Sequence, residues 1–514
     1  MNATIKNLDS CWAKEGRLPR IAIVGAGISG IGAVIALRNA GYTDLTVYEK
    51  GDRLGGTWRD NSYPGLSCDV PSYWYSYSFE PNPDWSYRFA YGPEILKYVE
   101  HVAEKYHVKE AINFNSPVTE ISYLGPKWRL KAEGHEEQIF DFVISAVGVL
   151  HHAAYPDIPG LDSFEGSMFH TARWDKTVSL EGKRIGIIGT GSTSAQIVGE
   201  ITKNVDFMSV FQRTPHWVVP MAQKEYSTGW KKLMKRVPLI QRTIGKGYKY
   251  LMLRTFADAT VGNKMKQDLI RKVCLGYLKK SVSDPELRAK LTPDYQATCK
   301  RLILSSDFYP AICSDNAELV TESIQGIEAG GVRTKDGRLH ELDVLICATG
   351  FKVADFMLPA KVYGENGVEL SELWEGSPRA HRAMAIPGFP NFWMLEGPTG
   401  PVGNLSLISV TEVQLGYLIQ CLDKMKNEKA AGFVVKQEAF DDFNQKISQA
   451  VKKTVWATGG CDSWYIDKTG QPNLYPWHPA QFYEEMKKPD FSEYRVIAEM
   501  NGSASEPEAK TGVA

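Results

Sequence analysis

Arg20-Ile-Ala-Ile-Val24 runs directly into Gly25-Ala-Gly27-Ile-Ser-Gly30, and residues 31–39 follow at helical spacing. The short apolar run reads as a parallel strand buried on both faces. A strand, a Gly-x-Gly-x-x-Gly turn and a helix form the context that a dinucleotide-binding loop requires. Gly25 permits the tight turn, Gly27 lets backbone approach a pyrophosphate, and Gly30 lets helix and strand pack closely. The helix N-terminus then offers free N–H groups to the phosphates. Leu45 to Tyr48 reads as the second strand and ends at Glu49, whose carboxylate suits ribose hydroxyls.

The same phrase recurs. Lys183 to Ile188 leads into Gly189-Thr-Gly191-Ser192-Thr-Ser194 and a further helix. Glu49 lies 24 residues after Gly25, and 24 residues after Gly189 stands Arg213, after the strand expected over Val205 to Gln212. The count predicts two units of equal length with opposite charge at the ribose position. An acid favours free hydroxyls, whereas an Arg fork favours a 2′-phosphate. The first unit therefore suits FAD and the second NADPH. Each closes on a similar strand, Asp141 to Gly148 and Asp343 to Gly350, with an Asp, an apolar run and Ala-x-Gly.

The fold class expected is α/β, with two Rossmann-like domains and a helical insertion in the NADPH domain. The FAD domain takes residues 1–150 and 351–500. A linker and the NADPH domain take 151–220 and 300–350. The insertion spans 221–299, and 501–514 is a disordered Gly/Ser/Glu tail. Residues 93–110 and 408–455 read as helical, and 114–148 as a small antiparallel excursion. Between Trp230 and Lys280 stand 14 Lys or Arg and two Asp, in a chain of net charge -1. That patch suits a solvated face, attraction of NADPH or an anionic membrane surface.

At 514 residues the chain exceeds one compact core. Its 43% hydrophobic and 23% charged residues are those of a globular protein. The balanced charge gives no argument for nucleic acid, and no apolar run suggests a membrane span. The eight Cys include no Cys-x-x-Cys, which argues against a zinc or dithiol centre, and no metal is expected. Cys scattered without pairing suit a reducing, cytoplasmic location. The loop from Gly55 to Asp69, rich in glycine and aromatics, reads as a wall around flavin or substrate. Gly397-Pro-Thr-Gly400-Pro reads as backbone meeting the flavin at a helix N-terminus.

Between the two units lies Phe164-Glu-Gly166-Ser-Met-Phe-His170-Thr-Ala-Arg-Trp174-Asp175. With Gly56, Thr57, Trp58, Tyr63-Pro-Gly65 and Asp69, with Gln212-Arg213-Thr214-Pro215, and with Lys300-Arg301, it resembles the single-component, NADPH-dependent Baeyer–Villiger monooxygenases. Trp174, where the N- and S-oxygenating flavin monooxygenases carry Tyr, favours the ketone-oxidising branch. Ser194 and Phe351 depart from the family pattern.

The resemblance implies oxidation of a ketone by O2 and NADPH to an ester or lactone, through a flavin C4a-peroxide. It makes Arg301 the fixed cation near the flavin, Asp69 its partner, and Lys300 a catalytic and cofactor-binding neighbour. Gly56, Thr57, Trp58, Ser192, Arg213 and Thr214 become cofactor contacts. Phe164, Gly166, His170, Trp174 and Asp175 couple the two cofactors by closing over NADP+. Tyr63 and Trp464 are expected at the substrate pocket. The partners implied are a small ketone and O2, with no obligate membrane, in a monomer or homodimer. Heteroatom oxygenation of amines or sulfides is the alternative activity.

Overall fold

The computed structural model describes residues 11–401 and 405–497. The expected tail and the first ten residues of the leader lie outside them. Two five-stranded parallel sheets organise the chain, each starting from one glycine loop. In the first, Ile21–Val24 lies at the centre, between Phe142–Ser145 and Leu45–Tyr48. Ile112–Asn113 and Phe392–Met394 form its edges. In the second, Arg184–Ile188 lies between Phe207–Phe211 and Val344–Cys347, with Ala317–Val320 and Ser167–His170 at the edges. Ile21–Val24 is buried along its whole length and Arg184–Ile188 from Ile185 onward, as sheets covered on both faces require.

One local device is repeated. Asp141 accepts the Arg20 amide at 2.8 Å, and Asp343 accepts the Arg184 amide at 2.8 Å. Each carboxylate also holds an Arg guanidinium, from Arg17 and Arg184 respectively. Each closing strand is thus fixed to the foot of the strand beside it.

The linkers between the sheets run side by side. Ala153 bridges Phe351, Ala154 N–H donates to Gly350 O at 2.9 Å, and Lys352 N–H donates to His152 O at 2.9 Å. The chain therefore leaves and re-enters the first unit through one paired crossing.

The insertion is helical as expected, with helices Thr228–Arg236, Pro238–Met252, Lys264–Ser281 and Pro285–Lys290. Asp284 Oδ1 caps the last by accepting from Glu286 N–H. Pro238–Met252 packs closely on the first unit: a Cβ at Gly245 would come within 2.5 Å of Tyr73 O. The antiparallel excursion is a sheet of Val118–Tyr123, Trp128–Ala132 and Gln138–Phe140, with Lys361–Tyr363 added to its edge.

Two expectations are corrected. Residues 408–455 are not one helical stretch: Leu407–Glu428 ends at Lys429 in the left-handed region, Gly432–Val435 forms a strand, and Gln437–Val451 resumes the helix. That strand pairs with Tyr494–Ile497, a partner about sixty residues on that no local pattern announces. Nor are the cysteines all unpaired. Cys299 and Cys461 form a disulfide across 162 residues, and their Cα atoms are 6.0 Å apart.

Candidate active site at the junction of the two units

The two glycine loops are near copies. Gly25 and Gly189 both have φ +105°, and a Cβ on either would come within 2.7 and 2.6 Å of the carbonyls of Ala146 and Ala348. Only glycine fits beside a neighbouring strand at that distance. The helices Ile28–Asn39 and Ser192–Ile201 start after Gly27 and Gly191, and no side chain caps either. Their first amides suit a phosphate.

The first loop is the more enclosed. Gly56, at φ +53°, stands over Gly27, and a Cβ on Gly56 would lie 2.9 Å from Gly27 Cα. Gly56 leads into the Thr57–Asp60 turn of helix, whose Trp58 donates its indole N–H to Tyr75 Oη at 3.0 Å. Glu49 is buried and held in place. It accepts from Ala26 N–H and Gly51 N–H, both at 2.8 Å, and from Arg59 at 2.8 Å. A carboxylate has about four acceptor positions, so one remains for a ribose hydroxyl.

The equal-length count needs a correction here. Gly25 N–H donates to Tyr48 O, and Gly189 N–H donates to Phe211 O. Strand register therefore places Gln212, not Arg213, opposite Glu49. Gln212 is buried and donates to Lys290 O. Arg213, one residue further, is exposed at the mouth of the loop. It faces Lys300, whose ammonium is lowered in pKa by burial, with Asp462 opposing and Arg213 adding to the shift. Thr214 O accepts the Thr190 hydroxyl, which ties the end of this strand to the glycine turn.

Arg301 meets Asp69 in a two-pronged pair: Nε donates to Oδ2 at 2.9 Å and Nη2 to Oδ1 at 2.8 Å. Burial alone would lower the Arg301 pKa, but the Asp69 charge overcomes it and keeps the guanidinium protonated. Tyr465 also hydrogen-bonds Arg301.

Lys300, Arg301 and Tyr465 line one wall of a cleft. Four segments enclose it: the insertion at Phe256–Val261, Thr298–Leu302, Pro401 with Leu405, and the loop carrying Trp456, Tyr465, Tyr475 and Trp477. The disulfide joins the second of these segments to the fourth. Gln296 N–H donating to Gly459 O at 2.9 Å reinforces the join.

The substrate-pocket expectations need revision. Trp464 is 41% exposed and packs on Tyr465; its neighbour, not Trp464, lines the cleft. Tyr63 donates to Gln196 Oε1 at 3.0 Å on the second-unit helix. Gly65 lies against the same helix, and Gln196 donates to Ser67 O. So much of the Gly55–Asp69 loop docks one unit on the other, and its end delivers Asp69 to Arg301.

The stretch from Phe164 to Asp175 is built into the second sheet and packs on the linkers. Ser167–His170 is an edge strand of the second sheet. Gly166 lies where a Cβ would meet Asp343 O at 2.6 Å and the Phe164 ring. Trp174 packs edge-on against Phe169, with centroids 4.9 Å apart, and Asp175 accepts from Thr177 N–H in a local turn. His170 is fully buried, and its Nδ1 accepts from Ala172 N–H. Burial lowers its pKa, with the Gly350 backbone opposing. Its ring packs against Tyr155 and Phe351, one from each crossing linker. The stretch therefore touches the paired linkers between the units.

Sequence reasoning missed the Cys299–Cys461 bond, Tyr465 as a wall residue, and the contribution of Phe256 from the insertion. Each depends on a contact between segments far apart in the chain.

Two glycine-loop units, one enclosed and one open, with a permanent cation in an aromatic cleft where they meet, define a dinucleotide-dependent flavoprotein oxidoreductase. Residues 18–366 match the flavin-binding monooxygenase-like family, and the chain belongs to it. It is 43% identical over 466 residues to a monooxygenase of Mycobacterium tuberculosis, covering 91% of this chain and 94% of that protein. It is 37% identical over 501 residues to a Baeyer–Villiger monooxygenase of Streptomyces coelicolor, covering 96% of each. Cyclohexanone monooxygenase from Rhodococcus bound to NADP+ has the same architecture, with a TM-score of 0.83 at 26% identity over 94% of this chain and 99% of that one. Among the described residues no helix is long and apolar enough to cross a membrane, and no cluster of potential metal ligands occurs.

Proposed function

We propose that the protein is a Baeyer–Villiger monooxygenase that uses NADPH and O2 to convert a small ketone to an ester or lactone. The observation that carries this reading is Arg301 in the wall of the aromatic cleft, held by its pair with Asp69. The enclosed first loop, with Glu49 keeping one acceptor position, fits FAD. The open second loop, with Arg213 and Lys300 at its mouth, fits the 2′-phosphate of NADPH. FAD, when bound, supplies the ring that takes hydride from NADPH and activates O2.

The chain's own residues do the rest. A ketone carbonyl under attack gathers negative charge on oxygen, and so does the attacking oxygen while deprotonated. Arg301 stays protonated through such a cycle, which Lys need not. Asp69 fixes its plane through two hydrogen bonds. Tyr465 holds the guanidinium from the cleft side, and the disulfide keeps the Tyr465 loop beside it. Trp456, Tyr475 and Trp477 exclude water from a charged, short-lived species. His170, Phe164, Gly166, Trp174 and Asp175 act at the paired linkers and touch no reacting atom.

The test is NADPH consumption over a panel of linear, cyclic and aryl ketones beside a thioether, with products identified by mass spectrometry. Ester or lactone formation is expected. Sulfoxide alone would make the chain a heteroatom oxygenase, and stoichiometric H2O2 without oxygenated product would make it an oxidase.

A further inference from the structure

Glu396 follows the Phe392–Met394 strand, at the carboxyl edge of the first sheet, where the first glycine loop also opens. Its backbone has φ +55°, and its amide donates to Gln414 Oε1 at 2.9 Å, so its direction is fixed. Its Oε1 accepts from Thr411 Oγ1 at 2.8 Å, in the second turn of Leu407–Glu428. Thr411 lies 3.1 Å from Ser29 Oγ, in the first turn of the glycine-loop helix, and Ser29 also hydrogen-bonds the carboxyl.

The cluster thus sits against the uncapped amides of Ile28–Asn39, where the cofactor diphosphate belongs. Among the described residues no cation serves it. The other titratable groups nearby are Tyr75 and Tyr77, both held neutral by burial, and Glu412. Glu412 is turned to the Ser78 amide, and Lys249 offsets its charge. Burial raises the Glu396 carboxyl to about 7, against the pull of Thr411 and Ser29. A diphosphate beside it adds negative charge and opposes ionisation further.

We propose that Glu396 is a proton-linked contact of FAD: its carboxyl is neutral in the loaded protein, and FAD binding at alkaline pH takes up one proton there. This rests on the first loop being the FAD site. The sign follows from linkage. The ligand raises the pKa of Glu396, so FAD affinity is independent of pH while the carboxyl is protonated in both states. It falls about tenfold per pH unit above the cofactor-free value, until the loaded form also ionises.

The yellow holoenzyme is diluted across a series from about pH 6 to 9, and FAD release is followed by its fluorescence. The wild type is expected to release FAD about tenfold more readily for each unit above neutrality. Glu396→Gln is expected to hold FAD equally at every pH, near the wild-type acid value. Equal pH dependence in both proteins, or none in the wild type, overturns the assignment. Should Glu396→Gln not fold, calorimetric titration of FAD into stripped wild-type protein, in buffers of different protonation enthalpy, decides. Uptake of about one proton per FAD near pH 8 supports it and none overturns it. The readout involves no oxygenation, so a failure of the ketone assay leaves it intact. A chain that binds no FAD at any pH would instead refute the functional reading.

Discussion

The two glycine-loop units are built to the same plan and finished differently. Both turn on a glycine at φ +105°, and both anchor the closing strand by an Asp to the neighbouring strand's first amide. They part at the second glycine. A Cβ on Gly27 would meet Gly56 at 3.5 Å, while one on Gly191 would meet nothing within 4 Å. Glu49 is buried under Arg59, whereas Arg213 stands in the open. The same backbone therefore makes a recess for a resident cofactor and a berth for an exchanging one, and the difference lies in what covers the turn.

The largest effect is expected where neither glycine loop is altered. Arg301→Ala should retain yellow FAD and NADPH oxidation while ester formation falls by about 10²–10³. Ester formation near the wild-type rate in coupled assays would remove Arg301 from the chemistry. Next come the turn glycines. Gly25→Ala should cost about 1–3 kcal/mol and strip FAD, because its Cβ meets Ala146 O. Gly189→Ala, with the matching clash at Ala348 O, should keep FAD and lose NADPH affinity. Identical losses from both variants, read by absorbance and nucleotide titration, would erase the distinction between the units. Arg213→Ala should raise KM for NADPH about tenfold or more and leave NADH little changed. An equal rise for both nucleotides would show that Arg213 does not meet the 2′-phosphate. The smallest change in stability belongs to Gly191→Ala, within about 0.5 kcal/mol by thermal unfolding. A large loss would mean that the second loop is covered after all.

Much of the architecture was legible because it is local. A buried strand, a glycine turn and a helix are contiguous, so both units, the helical insertion and the Asp284 cap stand in the residue order. Arg301 and Asp69 were legible only through their motifs, being 232 residues apart. What could not be read depends on register or on distant contacts. One residue's difference between the units put Gln212 where counting put Arg213. The role of His170 depends on two linkers that its own neighbourhood does not contain. Tyr63 looked like a pocket residue by its aromatic company, yet its hydroxyl is spent on Gln196. The Cys299–Cys461 bond and the strand at Gly432–Val435 each join segments with no shared pattern.

The first sheet is completed by Phe392–Met394, and the Leu407–Glu428 helix packs on Ile28–Asn39. During synthesis the ribosome therefore emits the entire second sheet while the first still lacks an edge strand and a covering helix. Domains fold largely as they emerge, so the middle of the chain, which holds the second sheet, has all its strands before the first sheet does. A nascent chain stalled at about residue 390 would carry every strand of the second sheet outside the ribosome and only four of the first.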